Sequence, residues 1–505
     1  MSIVAGVDFG TESVRVSIFD SDRGRLGLGK APYPVLRHRD NPDFATQRHK
    51  DHCGSLALAF QSALTAAEVP GLLVEAVAID TTGSTVVPVD QHLNPLGDYY
   101  LWCDHRAWRE AAEITAKAKQ ARLAALDWCG GSYSAEWGFA KVLHWLRTNG
   151  ALRSRFHSAI EHCDLMVATL CGVTDSSQMA RSVCAMGHKW MWNSQLGGLP
   201  SEAFLASVDP LLSGLRERLQ GRYLTSDKVA GQLCEEWARR LGLKAGIPIP
   251  AGALDAHWDA IGAGCAIGDV VNVIGTSTCV MALADTPRLI PGVSGLVQGS
   301  VHPRTVGIEA GLSAVGDLFG AIAQRAGRAV GDLAELIKEH GAGQTGLLRI
   351  AWDNGDRSVL SNPSLKGVTM GWRLNHTAAD ELFAAIEGTA FHTRIILDRL
   401  QEYGTPVERV IHGGGIPRRN QTLNRVYANV LDKPILVPAS DTTGLGSAIF
   451  AFLAAGTFDS VEEAQKALSP GYDVIDPVAA EVRIYKDLYA RFQKLYFSLA
   501  TESTG

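Results

Sequence analysis

The chain has 505 residues and a formal net charge of −6, with 46% hydrophobic and 20% charged residues. This length predicts two or three domains, and the composition is that of a globular protein rather than a disordered one. The mild acidity argues against a dedicated nucleic-acid surface. No basic segment precedes an apolar run at the start, and the longest apolar stretch, residues 448–456, is about half of the ~20 residues that span a bilayer. We therefore expect a cytoplasmic protein with neither a nucleic-acid partner nor a membrane partner.

Two segments have the pattern of a β-hairpin with a tip of small polar residues. The first runs through residues 3–20, with Gly10 and Thr11 at its tip. The second runs through residues 270–283, with Gly275–Thr278 at its tip. Two related halves of the chain and two unrelated hairpins explain this repetition equally well.

Amphipathic segments separate the strand patterns. Residues 108–126 are rich in helix-forming residues, and Thr377–Asp380 resembles a capping box that opens a helix reaching about Leu400. A further helix is predicted near residues 482–499. Strands interspersed with amphipathic helices indicate an α/β architecture. The prolines and glycines of Gly246–Gly252 interrupt helix signals on both sides and predict a domain boundary there.

The tip of the first hairpin combines several groups that favour an anion. Gly10 lets backbone N–H groups approach a phosphate, while Thr11 and Ser13 add hydroxyl donors and Arg15 adds positive charge. Asp8 ends the first strand and can hold Mg²⁺ through water. A polar hairpin tip with local turn bonds is the ordinary alternative, because such tips are common.

Two more glycine-rich segments support nucleotide binding. Gly275–Thr278 has the same density of donors, and His412–Gly415 places three glycines after an apolar strand, where a flat base or a phosphate can approach closely. Residues 24–30 have the glycine and lysine spacing of a P-loop. However, Ala31 stands where a hydroxyl should meet Mg²⁺, and Pro32 disfavours the required helix. We interpret this match as a chance occurrence in a loop.

Five further elements have both a chemical and a structural interpretation. By spacing alone, Asp255 is better explained as a helix N-cap than as a base that accepts a hydroxyl proton. The segment Asp80–Thr85 either lines a polyol site or forms an Asx turn. Trp102–Arg106 brings an aromatic ring, an acid and two nitrogen bases together. A chemical role and a structural salt-bridge cluster are equally plausible for this segment. Lys189 is better explained as a solvated lysine over a tryptophan-rich core edge than as a group that binds substrate hydroxyls. Glu309 lies among small and apolar residues, where an acid needs a partner or a ligand.

The segments Asp8–Arg15, Gly275–Thr278 and His412–Gly415 occur in the order found in the FGGY carbohydrate kinases. The chain resembles that family over most of its length, and most closely the members that phosphorylate L-ribulose. The supporting stretches are Asp80–Pro88, Leu101–His105, Ser134–Trp137, Gly187–Lys189, Gly197–Pro200 and Gly307–Gly311. The resemblance implies an α/β fold of two actin-like (ribonuclease H-like) domains with an interdomain cleft. It assigns residues 1–248 to the sugar side and residues 249–505 to the ATP side.

The resemblance also implies a role for individual residues, with ATP and Mg²⁺ as cofactors. Asp255 becomes the catalytic base in place of an N-cap, and Asp8 helps to place Mg²⁺. The residues implied to bind ATP are Gly10, Thr11, Ser13, Arg15, Gly275, Thr276, Gly414, Gly415 and Asn420. The residues implied to contact the sugar are Val86, Val87, Lys189, Asp255 and Glu309. The implied reaction transfers the γ-phosphate of ATP to the C5 hydroxyl of L-ribulose.

Some positions depart from the pattern of the family and leave alternatives open. Val86–Val87 and Cys103 differ from the residues that its L-ribulose-phosphorylating members often have, and the chain is shorter before Leu365. A kinase for D-ribulose, another ketopentose or a polyol is therefore the alternative function. A non-catalytic actin-like sensor of sugar or nucleotide is the alternative from another class, although the presence of both Asp8 and Asp255 speaks against it. The oligomeric state stays open, with a homodimer among the alternatives.

Overall fold

A computed structural model describes residues 2–502, which form two compact units. Unit 1 contains the residues up to Gly264 together with residues 296–307 and 442–469. Unit 2 contains residues 265–295, residues 308–441 and the chain from Pro470 onward. Each unit is therefore assembled from separate stretches of the sequence. The predicted division into residues 1–248 and 249–505 stays a prediction.

Strands are interspersed with helices along the described chain, as the sequence predicted. The strands are β1 (Ile3–Phe9), β2 (Ser13–Asp20), β3 (Gly24–Pro32), β4 (Leu36–His38), β5 (Asn41–Gln47), β6 (Val74–Thr81), β7 (Val86–Val89), β8 (Tyr99–Tyr100), β9 (Ser158–Glu161), β10 (Ala180–Ser182), β11 (Arg222–Leu224), β12 (Val229–Gln232), β13 (Pro248–Pro250), β14 (Ala253–Leu254), β15 (Asp269–Ile274), β16 (Thr278–Ala284), β17 (Gly295–Gln298), β18 (Val306–Leu312), β19 (Leu348–Ile350), β20 (Val368–Met370), β21 (Arg409–Gly413), β22 (Ile435–Pro438) and β23 (Tyr472–Ile475). The α-helices are α1 (His49–Ala67), α2 (Trp108–Gln120), α3 (Ala124–Asp127), α4 (Gly138–Thr148), α5 (His162–Leu170), α6 (Val183–Lys189), α7 (Glu202–Val208), α8 (Leu215–Arg218), α9 (Glu235–Leu241), α10 (Asp255–Gly262), α11 (Gly316–Arg325), α12 (Val330–Ile337), α13 (Ala378–Glu402), α14 (Gln421–Leu431), α15 (Thr442–Ala455), α16 (Val461–Ala467) and α17 (Ala479–Glu502).

The central sheet of unit 1 has the strand order β14–β6–β1–β2–β3. β1 and β2 pair antiparallel with Asp8 opposite Arg15, which confirms the first predicted hairpin. On its other side β1 pairs in parallel with β6, and β6 pairs in parallel with β14. Every residue of β1 is buried, as expected for a strand that is covered on both faces. The carboxyl ends of three parallel strands therefore meet at one edge of this sheet.

The segment with P-loop spacing forms strand β3, so its predicted assignment to a loop is wrong. Buried and exposed residues alternate along the second half of β3, and α1 packs against the strand. A Cβ atom added at Gly29 would lie 2.0 Å from the carbonyl oxygen of Ala59 in α1. Glycine is required here because the strand and the helix approach closely, and no phosphate cradle is involved.

A second sheet of unit 1 has the strand order β4–β5–β8–β7–β9. β7 and β9 pair antiparallel, and two hydrophobic clusters cover the opposite faces of β7. The prolines of the predicted boundary segment lie in β13, which pairs antiparallel with β12 inside unit 1.

The sheet of unit 2 places six strands side by side in the order β18–β16–β15–β21–β22–β23. β15 and β16 pair antiparallel, which confirms the second predicted hairpin. β21 lies parallel to β15, just as β6 lies parallel to β1 in unit 1. The two units therefore share a hairpin whose first strand pairs in parallel with a later strand, which favours two related halves over two unrelated hairpins.

The predicted helices differ in how well they agree with the structure. Thr377 is the N-cap of α13 and accepts a hydrogen bond from the Asp380 N–H, so the predicted capping box is confirmed. The helix predicted near residues 482–499 lies within α17. The single helix predicted over residues 108–126 is wrong, because α2 ends at Gln120 and Arg122 has a left-handed φ of 49° before α3. Each helix between residues 2 and 502 is too short or too polar to cross a bilayer.

Candidate active site

Three carboxylates lie at the carboxyl edge of the central sheet of unit 1. In the parallel register of β1 and β6, Asp8 stands opposite Asp80. Asp255 directly follows β14, the strand that pairs with β6. Burial, followed by the negative charge of Asp8, raises the pKa values of both Asp80 and Asp255. This edge is where open α/β sheets bind ligands, so it is the candidate site of unit 1.

Asp255 is the first residue of α10, and the N-cap position belongs to Leu254. The N-cap prediction for Asp255 is therefore wrong by one position, although Asp255 Oδ1 accepts a hydrogen bond of 2.8 Å from the Ala256 N–H. Burial of the carboxyl group, followed by the charge of Asp8, raises the pKa of Asp255 to about 7. A carboxylate with this pKa is matched to proton transfer at neutral pH.

Asp80 is a strand residue of β6, which disagrees with the alternative of an Asx turn at Asp80. The side chain is fully buried, and Asp80 Oδ2 accepts a hydrogen bond from the Ser447 hydroxyl of α15. Its other oxygen, Oδ1, has no hydrogen-bond partner among residues 2–502. Burial is the main reason that its pKa lies well above the usual range.

Asp8 and Arg15 form an ion pair across the first hairpin. The Asp8 carboxylate is buried, whereas the Arg15 side chain is 39% exposed. Together with Asp80 and Asp255, Asp8 gives the edge three carboxyl groups and a single neighbouring guanidinium. These are hard oxygen donors with an excess of potential negative charge, and Asp80 Oδ1 is an unpaired buried oxygen. The donor set fits a hard divalent cation such as Mg²⁺.

The Gly10–Thr11 turn is fixed by side chains from three other segments. The Tyr33 hydroxyl donates to the Gly10 carbonyl at 2.6 Å, and Gln47 Nε2 donates to the Thr11 carbonyl at 2.6 Å. The Trp102 indole N–H donates to Thr11 Oγ1 at 3.0 Å. Sequence analysis identified neither Tyr33 nor Gln47, because no local pattern links them to the turn. Ser13, the first residue of β2, follows this turn directly.

The remainder of the Trp102–Arg106 segment is structural, as one of its two interpretations predicted. Arg106 Nη2 lies 2.7 Å from Asp104 Oδ2, and the Arg106 guanidinium covers the ring of Tyr100 at 4.3 Å from the centroid. Asp104 also accepts a hydrogen bond of 3.0 Å from the Ala45 N–H.

Lys189, one of the residues implied to contact the sugar, is more buried than its sequence context suggested. Lys189 is the last residue of α6 and is 5% exposed, so the prediction of a solvated lysine is wrong. Its Nζ atom lies 5.8 Å from the ring centroid of Trp137. Val86 and Val87 are buried in the two hydrophobic clusters on opposite faces of β7. Their contact with a sugar stays a prediction.

Two buried charged residues that sequence analysis missed hold this region together. Glu161, at the end of β9, accepts hydrogen bonds from the Ser84 hydroxyl and, at 2.7 Å, from the Trp190 indole N–H. Lys141 Nζ donates to the carbonyl oxygens of Ser84 at 2.8 Å and Leu101 at 2.6 Å. Burial lowers the pKa of Lys141 to about 8. These bonds connect the segment after β6 with the residue that follows Lys189.

In unit 2 the Gly275–Thr276 turn joins β15 to β16. The carbonyl oxygens of Gly275 and Thr276 accept hydrogen bonds of 3.0 Å from the N–H groups of Gly316 and Val315, at the start of α11. The turn is therefore anchored through its carbonyl groups. A phosphate role for this turn stays a prediction.

Gly414 and Gly415 follow β21, and Asn420 precedes α14. Gly414 has a φ of +82°, and a Cβ atom there would lie 2.5 Å from the Ile274 carbonyl oxygen at the end of β15. Only glycine fits this position. Asn420 is the N-cap of α14, and its side chain accepts a hydrogen bond of 2.9 Å from the Leu423 N–H. Glu309 lies in β18 and is 6% exposed.

Family models match both parts of the chain. Residues 3–262 match the N-terminal domain of the FGGY family of carbohydrate kinases, and residues 270–455 match its C-terminal domain. The chain belongs to the FGGY family of carbohydrate kinases. It is therefore a sugar kinase, an enzyme rather than the non-catalytic sensor considered above.

Curated relatives and solved structures agree with this assignment. The chain is 32% identical to a ribulokinase of Vibrio parahaemolyticus, over 97% of this chain and 95% of that protein. It is 33% identical to a ribulokinase of Geobacillus thermodenitrificans, over 98% and 94% of the two chains. Its fold is similar to the crystal structure of xylulose kinase from Rhodospirillum rubrum, with a TM-score of 0.82, 20% identity and full coverage of both chains. The predicted α/β fold with two domains is confirmed.

Proposed function

We propose that this enzyme transfers the γ-phosphate of ATP to a ketopentose, with L-ribulose as the substrate and its C5 hydroxyl as the acceptor. The observation that carries the proposal is Asp255, a carboxyl group with a pKa of about 7 at the carboxyl edge of the central sheet. Full-length similarity to proteins named ribulokinase supports the choice of sugar.

Asp255 acts as the general base in this proposal. The acceptor hydroxyl must lose a proton as its oxygen forms a bond to phosphorus, and a carboxylate positioned beside it accepts that proton. Asp80 is too buried and Asp8 is paired with Arg15, so neither is as suited to this role. Lys189 and Glu309 are the proposed polar contacts of the sugar, with Val86 and Val87 beside it.

The proposed phosphate contacts are turns whose glycines allow close approach. Gly10, Thr11, Ser13 and Arg15 belong to the first hairpin, and Gly275 and Thr276 belong to the second. Gly414, Gly415 and Asn420 are the proposed contacts of the adenosine group. Asp8, with Asp80 beside it, would hold Mg²⁺, which neutralises phosphate charge when it is bound.

A coupled assay of ADP release tests the proposal, with Mg²⁺-ATP and a panel of L-ribulose, D-ribulose, both xyluloses and glycerol. The highest kcat/KM with L-ribulose is expected. A clear preference for D-ribulose or a xylulose would keep the ketopentose kinase and reject L-ribulose as the substrate. A preference for glycerol would reject the ketopentose class as well.

A further inference from the structure

The carbonyl groups of all three residues of the turn between β1 and β2 accept hydrogen bonds. The Gly10 and Thr11 carbonyl oxygens accept from the Tyr33 hydroxyl and from Gln47 Nε2, each at 2.6 Å. The Glu12 carbonyl oxygen accepts from the Tyr33 N–H at 3.1 Å. Within residues 2–502, the N–H groups of Thr11 and Glu12 donate to no acceptor. A turn that binds an anion needs this polarity, with carbonyl groups held away and N–H groups left for the ligand.

Gln47 is the only side chain among these contacts that must choose between two orientations. It is the last residue of β5 and is 1% exposed. Its amide lies between the Thr11 carbonyl and the His52 ring, with Oε1 3.0 Å from His52 Nε2. In the observed orientation Nε2 donates to Thr11. The flipped amide would place Oε1 against the Thr11 carbonyl oxygen, where two acceptors repel each other.

His52 is the second partner of the amide and supports the orientation that the Thr11 carbonyl selects. Its ring is stacked between Phe9 and Tyr33, with centroid distances of 5.6 Å and 4.0 Å and interplanar angles of 13° and 15°. Burial lowers the pKa of His52 to about 3, so the ring is neutral and carries a single proton. With Gln47 oriented as observed, that proton belongs on Nε2, where it is donated to Gln47 Oε1.

We propose that Gln47 is a positioning residue for the phosphate-binding turn, and that His52 holds its amide in the orientation that the Thr11 carbonyl selects. The proposal rests on the proposed function, because it takes the Gly10–Thr11 turn as a binding site for the phosphates of ATP. Gln47 itself touches no substrate. It holds the Thr11 carbonyl back, which keeps the N–H groups of Thr11 and Glu12 directed at the nucleotide.

Two substitutions and one matched control test the proposal. Gln47→Met keeps the length of the side chain but removes the bond to Thr11, and we expect the KM for ATP to rise about tenfold, the effect of roughly one such hydrogen bond. His52→Phe keeps the stacked ring but frees the amide, and about a threefold rise is expected. His49→Phe changes a second histidine of α1, which is half-buried and whose hydrogen bonds go to Tyr99 and Cys53. It should leave the KM for ATP unchanged.

Comparison of the KM for ATP with the KM for the ketopentose distinguishes a positioning role from general structural damage. In each variant the KM for the ketopentose should stay within about twofold of the wild-type value, whatever happens to the thermal midpoint. The double variant of Gln47→Met and His52→Phe should bind ATP no worse than Gln47→Met alone, because both act through one contact. Equal rises in both KM values, or additive effects in the double variant, would overturn the proposal. If Gln47→Met does not fold, His52→Phe carries the test alone.

Thr11→Ala distinguishes failure of this proposal from failure of the proposed function. It removes a hydroxyl that is itself a proposed phosphate contact, while the backbone carbonyl that binds Gln47 remains. A raised KM for ATP in Thr11→Ala with an unchanged KM in Gln47→Met would overturn only the positioning role of Gln47. Unchanged KM values for ATP in both variants would overturn the assignment of this turn to ATP.

Discussion

At the scale of single residues, Asp255 is the group on which turnover should depend most. Asp255→Asn keeps the size of the side chain but cannot accept a proton, so kcat should fall by about 10²–10⁴-fold. Binding of ADP, measured by calorimetry, should change by less than about twofold. Asp259→Asn is the matched control, because Asp259 lies one turn further along α10 and accepts hydrogen bonds from Thr442 and Thr443. It should reduce stability and retain kcat; turnover retained in Asp255→Asn would reject the base.

The pKa of Asp255 also predicts how the rate depends on pH. Below a pKa of about 7 the carboxyl group is protonated and cannot act as a base; above it, the group is ionised and can. The value of kcat/KM for the sugar should therefore rise as pH increases from about 6 to 8 and then level off. The residual rate of Asp255→Asn should show no such rise. A profile that is flat or that falls over this interval would contradict the assignment.

Residues of the candidate site differ in how far the sequence could reveal them. Asp8 stands at the end of an apolar strand pattern, and this local context is enough to select it. For Asp255 the local spacing favoured a helix N-cap, and only the resemblance to the family implied a catalytic role. Tyr33 and Gln47 are 23 and 36 residues away in sequence from the turn groups that they bind, and Glu161 is 77 residues from Ser84. Such contacts depend on how sheets are paired, and no periodicity of the sequence encodes that pairing. The sequence also misjudged Lys189, because its burial is set by packing of distant segments.

At the scale of elements, glycines in α15 permit an unusually close approach of two helices. A Cβ atom at Gly446 would lie 1.8 Å from the Trp258 carbonyl oxygen of α10, and only a shift of backbone could relieve that overlap. Gly446→Ala should therefore destabilise unit 1 by roughly 1–3 kcal/mol or more. Gly54→Ala lies within α1, where the added Cβ atom would meet no atom within 4 Å apart from the adjacent residues and the backbone of the helix itself, and it should stabilise by about 0.5–1 kcal/mol instead. Urea midpoints measure both changes, and equal effects would contradict the close approach.

Helices and strands were predicted correctly where the contacts that form them join residues close together in the sequence. The capping box of Thr377 and Asp380 starts α13 through bonds between neighbouring residues, so the sequence was sufficient. Residues 108–126 have helix-forming composition throughout, yet the chain turns at Arg122 in a left-handed conformation. Residues 24–30 have a P-loop spacing but form β3, because their glycines serve contact with α1. In β3, close packing against α1 overrides the preference of the segment.

At the scale of the whole molecule, the sequence predicted two domains, but it could not show which segments of chain each compact unit contains. Residues 442–469 belong to unit 1 although they follow most of unit 2. What places them there is close packing, such as Gly6 of β1 against Gly444 and Ser447 of α15. Contacts across more than 400 residues leave no trace in composition or periodicity. The predicted boundary near residue 248 and the homodimer both stay predictions.

The proposed contacts of ATP and of the sugar predict where each substrate slows amide hydrogen exchange. ADP should protect peptides that contain residues 275–278 and 412–420 of unit 2, together with the turn at residues 8–13 of unit 1, because their N–H groups and glycines are the proposed nucleotide contacts. The ketopentose alone should protect peptides around residues 183–190 of unit 1. Peptides from α9 serve as the internal control, since none of its residues is a proposed contact, and their exchange should not change. If ADP protected no peptide of unit 2, the nucleotide contacts proposed in that unit would be wrong, namely Gly275, Thr276, Gly414, Gly415 and Asn420. If ADP protected peptides of unit 2 but changed nothing at residues 8–13, only the role of the first turn in nucleotide binding would be excluded.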